Sequence, residues 1–184
     1  MADIRSIFLV ISYIGASNEG QRTSGMGVKI LVLSVGKERQ RPIREAVEDY
    51  LRRARPTFEC DWIEVRQHRA SSESEAQRAR DEEGERLLQR VPAGFRTIAL
   101  DERGRMLDSP AFSTHLDNQR VASRSGVAFL IGGAFGHSAQ LLQNVDEKLS
   151  LSPLTLPHSL ALVVLAEQIY RAKTLIRGEP YHKM

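Results

Sequence analysis

The chain alternates continuous apolar runs with stretches in which apolar residues recur at helical spacing. Residues 28–35 (VKILVLSV) form an apolar run that ends at Gly36, a pattern typical of a strand buried on both faces. Residues 41–55 instead repeat apolar positions every three or four residues before Pro56, which predicts a helix. Together these two segments predict one strand-to-helix step.

The same alternation continues to the carboxyl end of the chain. Further strands are predicted at residues 58–65, 96–100 and 126–131, with a short apolar run at 149–151. Helices are predicted at residues 71–90, 109–123 and 157–177, with a short helix beginning at Ser138. Because strands separated by helices pair in parallel, the sequence predicts an α/β fold: a mostly parallel sheet with helices on both faces.

Composition fits one globular domain and leaves the partner open. The 184 residues are 41% hydrophobic and 27% charged, which excludes a disordered or fibrous chain. The 26 basic and 23 acidic side chains leave a net charge of +3, which permits an anionic partner without identifying one. Cys60 is the only cysteine, so neither an internal disulfide nor a thiolate metal site is predicted. We therefore expect a cytoplasmic protein that needs no metal.

The first 25 residues differ from the pattern that follows. Their apolar run, residues 7–14, is far shorter than the roughly 20 residues that cross a bilayer, so no membrane span is predicted. The run resembles a weak secretory signal, which Asp3 and a poor cleavage site argue against. A polar segment then leads to Met26. We expect residues 1–25 to be a disordered leader and residues 26–184 to be the working domain.

Candidate ligand sites follow the predicted strands, because ligands of parallel sheets bind beyond the carboxyl ends of the strands. Three such places stand out: Gly36-Lys37, residues 100–104 (LDERG) and residues 132–137 (GGAFGH). The glycines of the third would let backbone approach a ligand closely. This loop lacks the glycine order of a dinucleotide fingerprint and the Lys-Ser/Thr of a phosphate-binding loop. A plain turn and a cofactor loop both remain open.

Two later segments also carry candidate chemistry. Residues 149–158 (LSLSPLTLPH) alternate leucines with small or hydroxylated residues, and this irregular apolar loop could wrap a flat ligand. On the last helix, Glu167, Tyr170 and Arg171 share a face. A structural ion pair and a functional site are both compatible with that face.

Three motifs in one order resemble a known family. LIGGAFGHS (130–138), the segment 149–172 and the closing PYHK (180–183) are similar to the bacterial large-subunit ribosomal RNA pseudouridine N3-methyltransferases, of the SPOUT class of S-adenosylmethionine enzymes. The similarity extends more weakly over VKILVLSVGK, DYLRR, EEGERLL and IALDERG. It therefore covers nearly all of residues 26–184.

The resemblance implies a SPOUT-type fold with a carboxyl-terminal trefoil knot, acting as a homodimer. It implies transfer of a methyl group from S-adenosylmethionine to N3 of a pseudouridine in large-subunit rRNA, on assembled ribosomes. The cofactor contacts carried over from the family are Leu100, Gly132, Gly133, Leu151, Ser152, Pro153, Leu154, Thr155 and Leu156. These positions coincide with the strand ends and the irregular apolar loop described above.

The catalytic positions carried over from the family are His158, Glu167, Arg171, Tyr181 and His182. The resemblance suggests that His182 or Glu167 assists proton removal, that Tyr181 shapes or stacks on the base, and that Arg171 holds a phosphate or the tail. For His158, a hydrogen-bonded histidine near a helix start is an equally open alternative. Lys183 stands where the family often has Arg, which keeps a phosphate contact without its bidentate geometry.

Two other functions remain as alternatives. An RNA- or ribosome-binding module of the same fold would keep the cofactor loop without turnover. A phosphate-binding hydrolase would need a nucleophile and metal-binding carboxylates beside the glycine loop, and Asp101 is the one obvious candidate in the sequence. A comparison of S-adenosylmethionine binding with ATP binding would distinguish a methyltransferase from a hydrolase.

Overall fold

The structure is a computed structural model that describes residues 28–55, 57–121 and 125–182. The predicted leader, residues 1–25, lies outside the described residues. The strands are β1 Val28–Val35, β2 Phe58–Val65, β3 Phe95–Met106, β4 Gly126–Ile131 and β5 Glu147–Ser150. The helices are α1 Arg41–Ala54, α2 Glu73–Leu88, α3 Ser109–Val121, α4 Ala139–Asn144 and α5 His158–Ile176, followed by a 3₁₀ turn at Pro180–His182.

The five strands form one sheet in the order β2-β1-β4-β3-β5. Every neighbouring pair is parallel, so the carboxyl ends of all five strands face the same edge. The central strand β4 is buried along its whole length, which explains its uninterrupted apolar sequence. The predicted parallel α/β sheet is confirmed, and the trefoil knot stays a prediction of the family resemblance.

Helices cover both faces of the sheet. On one face, α1, α3 and α5 pack against side chains such as Phe129, which is fully buried beside Leu116 and Leu165. On the other face, Leu87 of α2 and Leu141 of α4 pack against the sheet. Each large apolar side chain buried in this way contributes about 1.5–3 kcal/mol to folding. The predicted placement of helices on both faces is confirmed.

Strand β3 is longer than the sequence predicted. The expected strand ended at Leu100, yet β3 continues to Met106, with a register shift against β5 between Leu100 and Arg105. Gly104 makes the close approach possible, because a Cβ there would lie 2.5 Å from the carbonyl carbon of Leu149. The charged DERGR segment lacks the apolar alternation of a strand, so its sequence pattern does not predict this extension. The bulge projects residues 101–103 toward the edge where ligands bind.

Candidate active site

A cleft of about 330 Å³ lies at the carboxyl ends of β3 and β4. Its apolar wall comes from Leu100, Leu149, Leu151, Leu154 and Leu156. Its polar groups come from Asp101, Glu102, Arg103, Ser152 and Thr155, and its rim includes Phe135, Gly136, His137 and Ala161. An apolar cavity with a few convergent polar groups is the usual form of a small-molecule site.

Hydrogen bonds hold the irregular loop after β5 in place. The Ser150 hydroxyl donates to the Ser152 carbonyl at 2.8 Å, and the Ser152 hydroxyl accepts from the Leu154 N–H at 2.9 Å. The Thr155 hydroxyl donates to Glu102 Oε2 at 3.0 Å, which ties the loop to the bulge of β3. Leu154 itself is 72% exposed, so the loop presents an uncovered apolar side chain at the mouth of the cleft.

The glycine loop after β4 is a tight turn. The Gly136 N–H donates to the Gly133 carbonyl at 3.0 Å, and Gly136 has a φ of +73°, in the left-handed region that favours glycine. A Cβ at Gly133 would lie 2.7 Å from Glu83 Oε2 and 2.9 Å from Val35 Cγ1. A side chain at position 133 would therefore require Glu83 and Val35 to move.

Glu83 is a buried carboxyl group beneath this turn. It is 2% exposed, and its Oε1 accepts the His68 N–H at 2.7 Å. Its Oε2 has no hydrogen-bond partner among the described residues. Burial raises the pKa of Glu83 and outweighs the opposing effect of the His68 N–H. Burial therefore makes ionisation of Glu83 less favourable than for an exposed carboxyl group.

Two histidines attach the glycine loop to its surroundings. His137 Nε2 donates to the Leu130 carbonyl at 3.2 Å, and burial lowers the pKa of His137, which favours the neutral ring. His158 Nδ1 lies 3.3 Å from the Gly132 carbonyl and must donate to it, because a carbonyl only accepts. His158 Nε2 is buried without a hydrogen-bond partner among the described residues. His158 thus ties the start of α5 to the glycine loop.

Glu38 supports the start of α5 beside His158. It accepts hydrogen bonds from the Ser159 hydroxyl and, at 2.7 Å, from the Gln40 N–H. Burial opposes ionisation of Glu38, but these hydrogen bonds and the nearby His158 outweigh it and lower its pKa. A carboxylate therefore holds the first turn of the helix against the end of β1.

A second cluster gathers at the other end of α5, where the carboxyl-terminal tail returns onto the helix. The Tyr181 hydroxyl donates to Glu167 Oε1 at 3.2 Å. The same oxygen accepts from Arg171 Nε at 2.9 Å and Nη2 at 2.5 Å. The Arg171 guanidinium also lies 5.1 Å from the centre of the Tyr181 ring. Glu167, Arg171 and Tyr181 thus form one side-chain network, which we call the tail cluster.

Helix α1 contributes to the tail cluster from the opposite side. Arg53 Nη2 donates to the Tyr170 hydroxyl at 2.9 Å, and the guanidinium lies 4.1 Å from the centre of the Tyr170 ring. The Tyr170 and Tyr181 rings meet edge to face at 4.7 Å. Burial, a hydrogen bond with Tyr50 and the negative charge of Glu167 raise the pKa of Tyr181 to about 12. The Tyr181 hydroxyl is therefore a neutral donor at physiological pH.

An ion pair anchors the tail before Tyr181. Lys173 Nζ lies 2.6 Å and 2.5 Å from the two carboxylate oxygens of Glu179. The Glu179 N–H donates to the Thr174 carbonyl at 2.8 Å. The segment from α5 to the 3₁₀ turn is thereby folded back along the helix.

The structure separates the predicted catalytic residues into two groups. Glu167, Arg171 and Tyr181 come together in the tail cluster. His158 begins α5, nine residues before Glu167, which corresponds to about 14 Å along the helix axis. The side chain of His182 lies outside the part of the chain that the structure describes.

Most predicted cofactor residues share the cleft. Six of them line it: Leu100, Leu151, Ser152, Leu154, Thr155 and Leu156. Gly132 and Gly133 form the turn beside it, and Pro153 lies in the lining loop without being part of the wall. Their cofactor contacts remain predictions.

The tail cluster also contacts two residues that the sequence did not single out as site residues. Tyr50 and Arg53 belong to the DYLRR segment, which carried only a weak family resemblance, whereas Tyr170 belongs to the face of the last helix that the sequence had already indicated. The available signal was their shared aromatic and basic character at helical spacing. Arg53 and Tyr170 are 117 residues apart, so helical periodicity alone does not connect them.

The described residues form neither a membrane span nor a metal cluster. Among the helices that the structure describes, none combines the length and apolar character needed to cross a membrane. Within the described ranges, no group of three histidine, cysteine or acidic side chains is arranged to hold a metal ion.

Comparison with known proteins places the chain in a family. Residues 28–182 match the family model described as predicted SPOUT methyltransferase. The chain is similar to proteins named ribosomal RNA large subunit methyltransferase H: it is 42% identical over 156 residues to that of Gemmatimonas aurantiaca and 38% identical over 159 residues to those of Alkaliphilus oremlandii and Carboxydothermus hydrogenoformans. Each alignment covers 85% of this chain and 100% of the relative. The chain therefore belongs to the SPOUT methyltransferase family.

Proposed function

We propose that this protein transfers a methyl group from S-adenosylmethionine to N3 of a pseudouridine in large-subunit ribosomal RNA, acting in the cytoplasm on assembled ribosomes. The observation that carries the proposal is the cleft at the carboxyl ends of β3 and β4. Six of its lining residues are the ones that the family resemblance predicts for the cofactor. The names of the relatives support ribosomal RNA as the substrate class.

The chemistry of the cleft suits this cofactor. Leu100, Leu151 and Leu156 offer an apolar surface for a flat adenine, and backbone groups of the loop are available to its polar edge. The carboxylates of Asp101 and Glu102 suit ribose hydroxyls and a cationic ligand. S-adenosylmethionine, when bound, supplies an electrophilic methyl group on a sulfonium. The protein's contribution is then to align the base with that group.

The tail cluster is assigned to the RNA base. Tyr181 is 36% exposed, so part of its ring is available to shape or stack on a base while its hydroxyl stays with Glu167. N3 of the base must lose its proton, and His182 or Glu167 takes it. Glu167 already accepts from Arg171, Gln168 and Tyr181, which favours His182 as the acceptor and Glu167 as the residue that orients the tail. Arg171 holds the tail in this arrangement.

The separation of the two groups supports a homodimer. Within one chain, Glu167 of the tail cluster lies about 14 Å along the axis of α5 from His158 and about 9 Å from Ala161, which lines the cleft. Two exposed apolar side chains line the cleft, Leu154 at 72% and Phe135 at 37%. Exposed apolar surface of this kind marks an association site. We propose that the tail of each protomer completes the cleft of its partner.

The test is methyl transfer from tritiated S-adenosylmethionine to ribosomes from cells that lack the activity. The proposal predicts label in large-subunit RNA, located on N3 of a pseudouridine by nuclease digestion and mass spectrometry. Ala161→Phe serves as the inactive control, since it fills the cleft and should abolish both S-adenosylmethionine binding and transfer. Ribosome binding without any transfer would instead identify an RNA-binding module and overturn the enzymatic proposal.

A further inference from the structure

We infer that an open groove at the carboxyl ends of β1 and β2 binds the phosphodiester backbone of the RNA substrate and leads the strand past Phe135 to the cofactor cleft. The groove has a volume of about 930 Å³. We call it the basic groove, and its exposed cations are Lys37, Arg39, Arg66 and Arg69. The inference rests on the proposed function, because it names the path by which that substrate reaches the site.

The four cations are distinguished by the lack of an acidic partner. Among the described residues, no carboxylate forms an ion pair with any of them. The arginines of the neighbouring helix α1 and its end behave differently, since each is paired with a nearby acid: Arg41 with Glu45, Arg44 with Glu64, Arg52 and Arg53 with Asp49, and Arg55 with Asp61. The charge of these arginines of α1 and its end is therefore already compensated.

The acidic residues of the basic groove do not cancel its charge. Glu64 is held by Arg44 at 2.7 Å. Glu82 is held by Arg78 at 2.7 Å and by Arg86 at 2.8 Å, with His68 Nε2 at 3.4 Å. Both carboxylates are thus committed to other cations. The groove keeps a surplus of exposed positive charge, which attracts a polyanion independently of its sequence.

The basic groove is continuous with the active site. Gln67, His68 and Arg69 line both the groove and an adjoining cleft of about 460 Å³. Phe135 lines that adjoining cleft and also the cofactor cleft, and its side chain is 37% exposed. Glu75 is the acidic residue of the adjoining cleft, and its carboxylate accepts from the Ser71 N–H at 2.7 Å and hydroxyl at 2.6 Å.

This arrangement matches single-stranded RNA more closely than a folded protein partner. Proteins that bind single strands combine a positively charged track for the backbone with an aromatic side chain on which a base stacks. Here four cations line the groove, and the exposed Phe135 ring lines both the adjoining cleft and the cofactor cleft. The cations position the strand, and the catalytic groups act on the base.

The experiment measures binding of a fluorescently labelled single-stranded RNA of about ten nucleotides by anisotropy over a range of salt concentrations. The groove variant is Arg39→Gln with Arg69→Gln. The matched control is Arg90→Gln with Lys148→Gln, two exposed cations that lie outside the groove and have no ion pair among the described residues.

Each lost phosphate contact reduces the magnitude of the slope of log affinity against log salt by about 0.7. The groove variant lacks two such contacts, so the magnitude of its slope should fall by about 1.4, and it should bind at least roughly tenfold more weakly at low salt. The control should keep the wild-type slope, and S-adenosylmethionine affinity should be unchanged in both. A groove variant with the wild-type slope, or a control that weakens equally, would overturn the inference.

Methyl transfer to ribosomes separates this inference from the proposed function. The groove variant should raise KM with kcat nearly unchanged, whereas the control should change neither. If the wild-type protein transfers no methyl group, the proposed function is wrong. The anisotropy measurement still tests whether the basic groove binds RNA. If the groove variant loses affinity for ribosomes but not for free RNA, the groove binds a ribosomal protein and the inference is wrong.

Discussion

The two ends of helix α5 are built on different principles. At the amino end, the cofactor cleft is formed by leucines, small residues and backbone groups, and the Gly133 turn leaves no room for a Cβ. At the carboxyl end, the tail cluster is formed by long side chains, in which Glu167 receives Arg171 and Tyr181. We therefore expect added bulk to abolish function at the amino end of α5, and removal of a functional group to abolish function at its carboxyl end.

The buried Glu83 and the partly buried Glu167 show the same contrast. Glu83, under the glycine turn, has one carboxylate oxygen without a partner among the described residues and a pKa raised by burial. Glu167, under the tail, accepts hydrogen bonds on both oxygens. Glu83 thus accepts a single backbone hydrogen bond, whereas Glu167 organises several side-chain donors.

Removal of residues 181–184 should produce the largest effect. We expect methylation to fall by roughly 10²- to 10⁴-fold, as for the loss of a positioned acid-base group, because the deletion removes Tyr181 and His182. Binding of S-adenosylmethionine by isothermal titration should stay nearly intact, since the cleft is untouched. Removal of Met184 alone is the control and should leave both unchanged. Methylation at the wild-type rate after the full deletion would refute the assignment of Tyr181 and His182.

Gly133→Val should have the reverse effect. The added side chain would collide with Glu83 and Val35, which we expect to displace the turn, abolish S-adenosylmethionine binding and cost about 1–3 kcal/mol of stability. Isothermal titration and thermal unfolding measure the two effects. Gly178→Ala, at a left-handed position with open space around it, is the control and should keep full cofactor affinity. Wild-type affinity in Gly133→Val would show that the turn does not shape the cleft.

Glu167→Gln should lower the pKa of Tyr181. In the wild type, burial, Tyr50 and the charge of Glu167 raise this pKa from 10.0 to about 12, so the folded state keeps the proton longer than the unfolded state. The associated stability is therefore complete below pH 10 and is lost as the pH rises toward 12. Phenolate absorbance should show the Tyr181 titration, identified by its loss in Tyr181→Phe, at lower pH in Glu167→Gln. The control Glu179→Gln should leave the pKa of Tyr181 unchanged. An unchanged pKa of Tyr181 in Glu167→Gln would contradict the interaction between Tyr181 and Glu167.

Deletion of residues 1–25 should have the smallest effect. The family match begins at residue 28, so we expect the shortened protein to keep the melting temperature, the S-adenosylmethionine affinity and the dimer. Thermal unfolding, titration and sedimentation check the three. A large fall in melting temperature would show that the domain extends into the leader.

Local patterns predicted the sheet and much of the cleft. The strands β1 and β4 are continuous apolar runs, and the loop that wraps the cleft is contiguous in sequence. The unpredicted features join distant residues: Arg53 reaches Tyr170 across 117 positions, and Gly133 packs on Glu83. The charged bulge of β3 depends on the close approach of Gly104 to β5. Such contacts depend on tertiary packing, to which helical and strand periodicities are insensitive.

The most direct test of the two-ended site is complementation between protomers. Ala161→Phe blocks the cleft and keeps the tail, whereas the deletion of residues 181–184 keeps the cleft and removes the tail, so each homodimer should be inactive. Dimers formed by refolding the two proteins together in equal amounts should recover about a quarter of wild-type methylation, because about half are mixed and each mixed dimer has one complete site. Activity no higher than that of the separate variants would show that cleft and tail act within one chain.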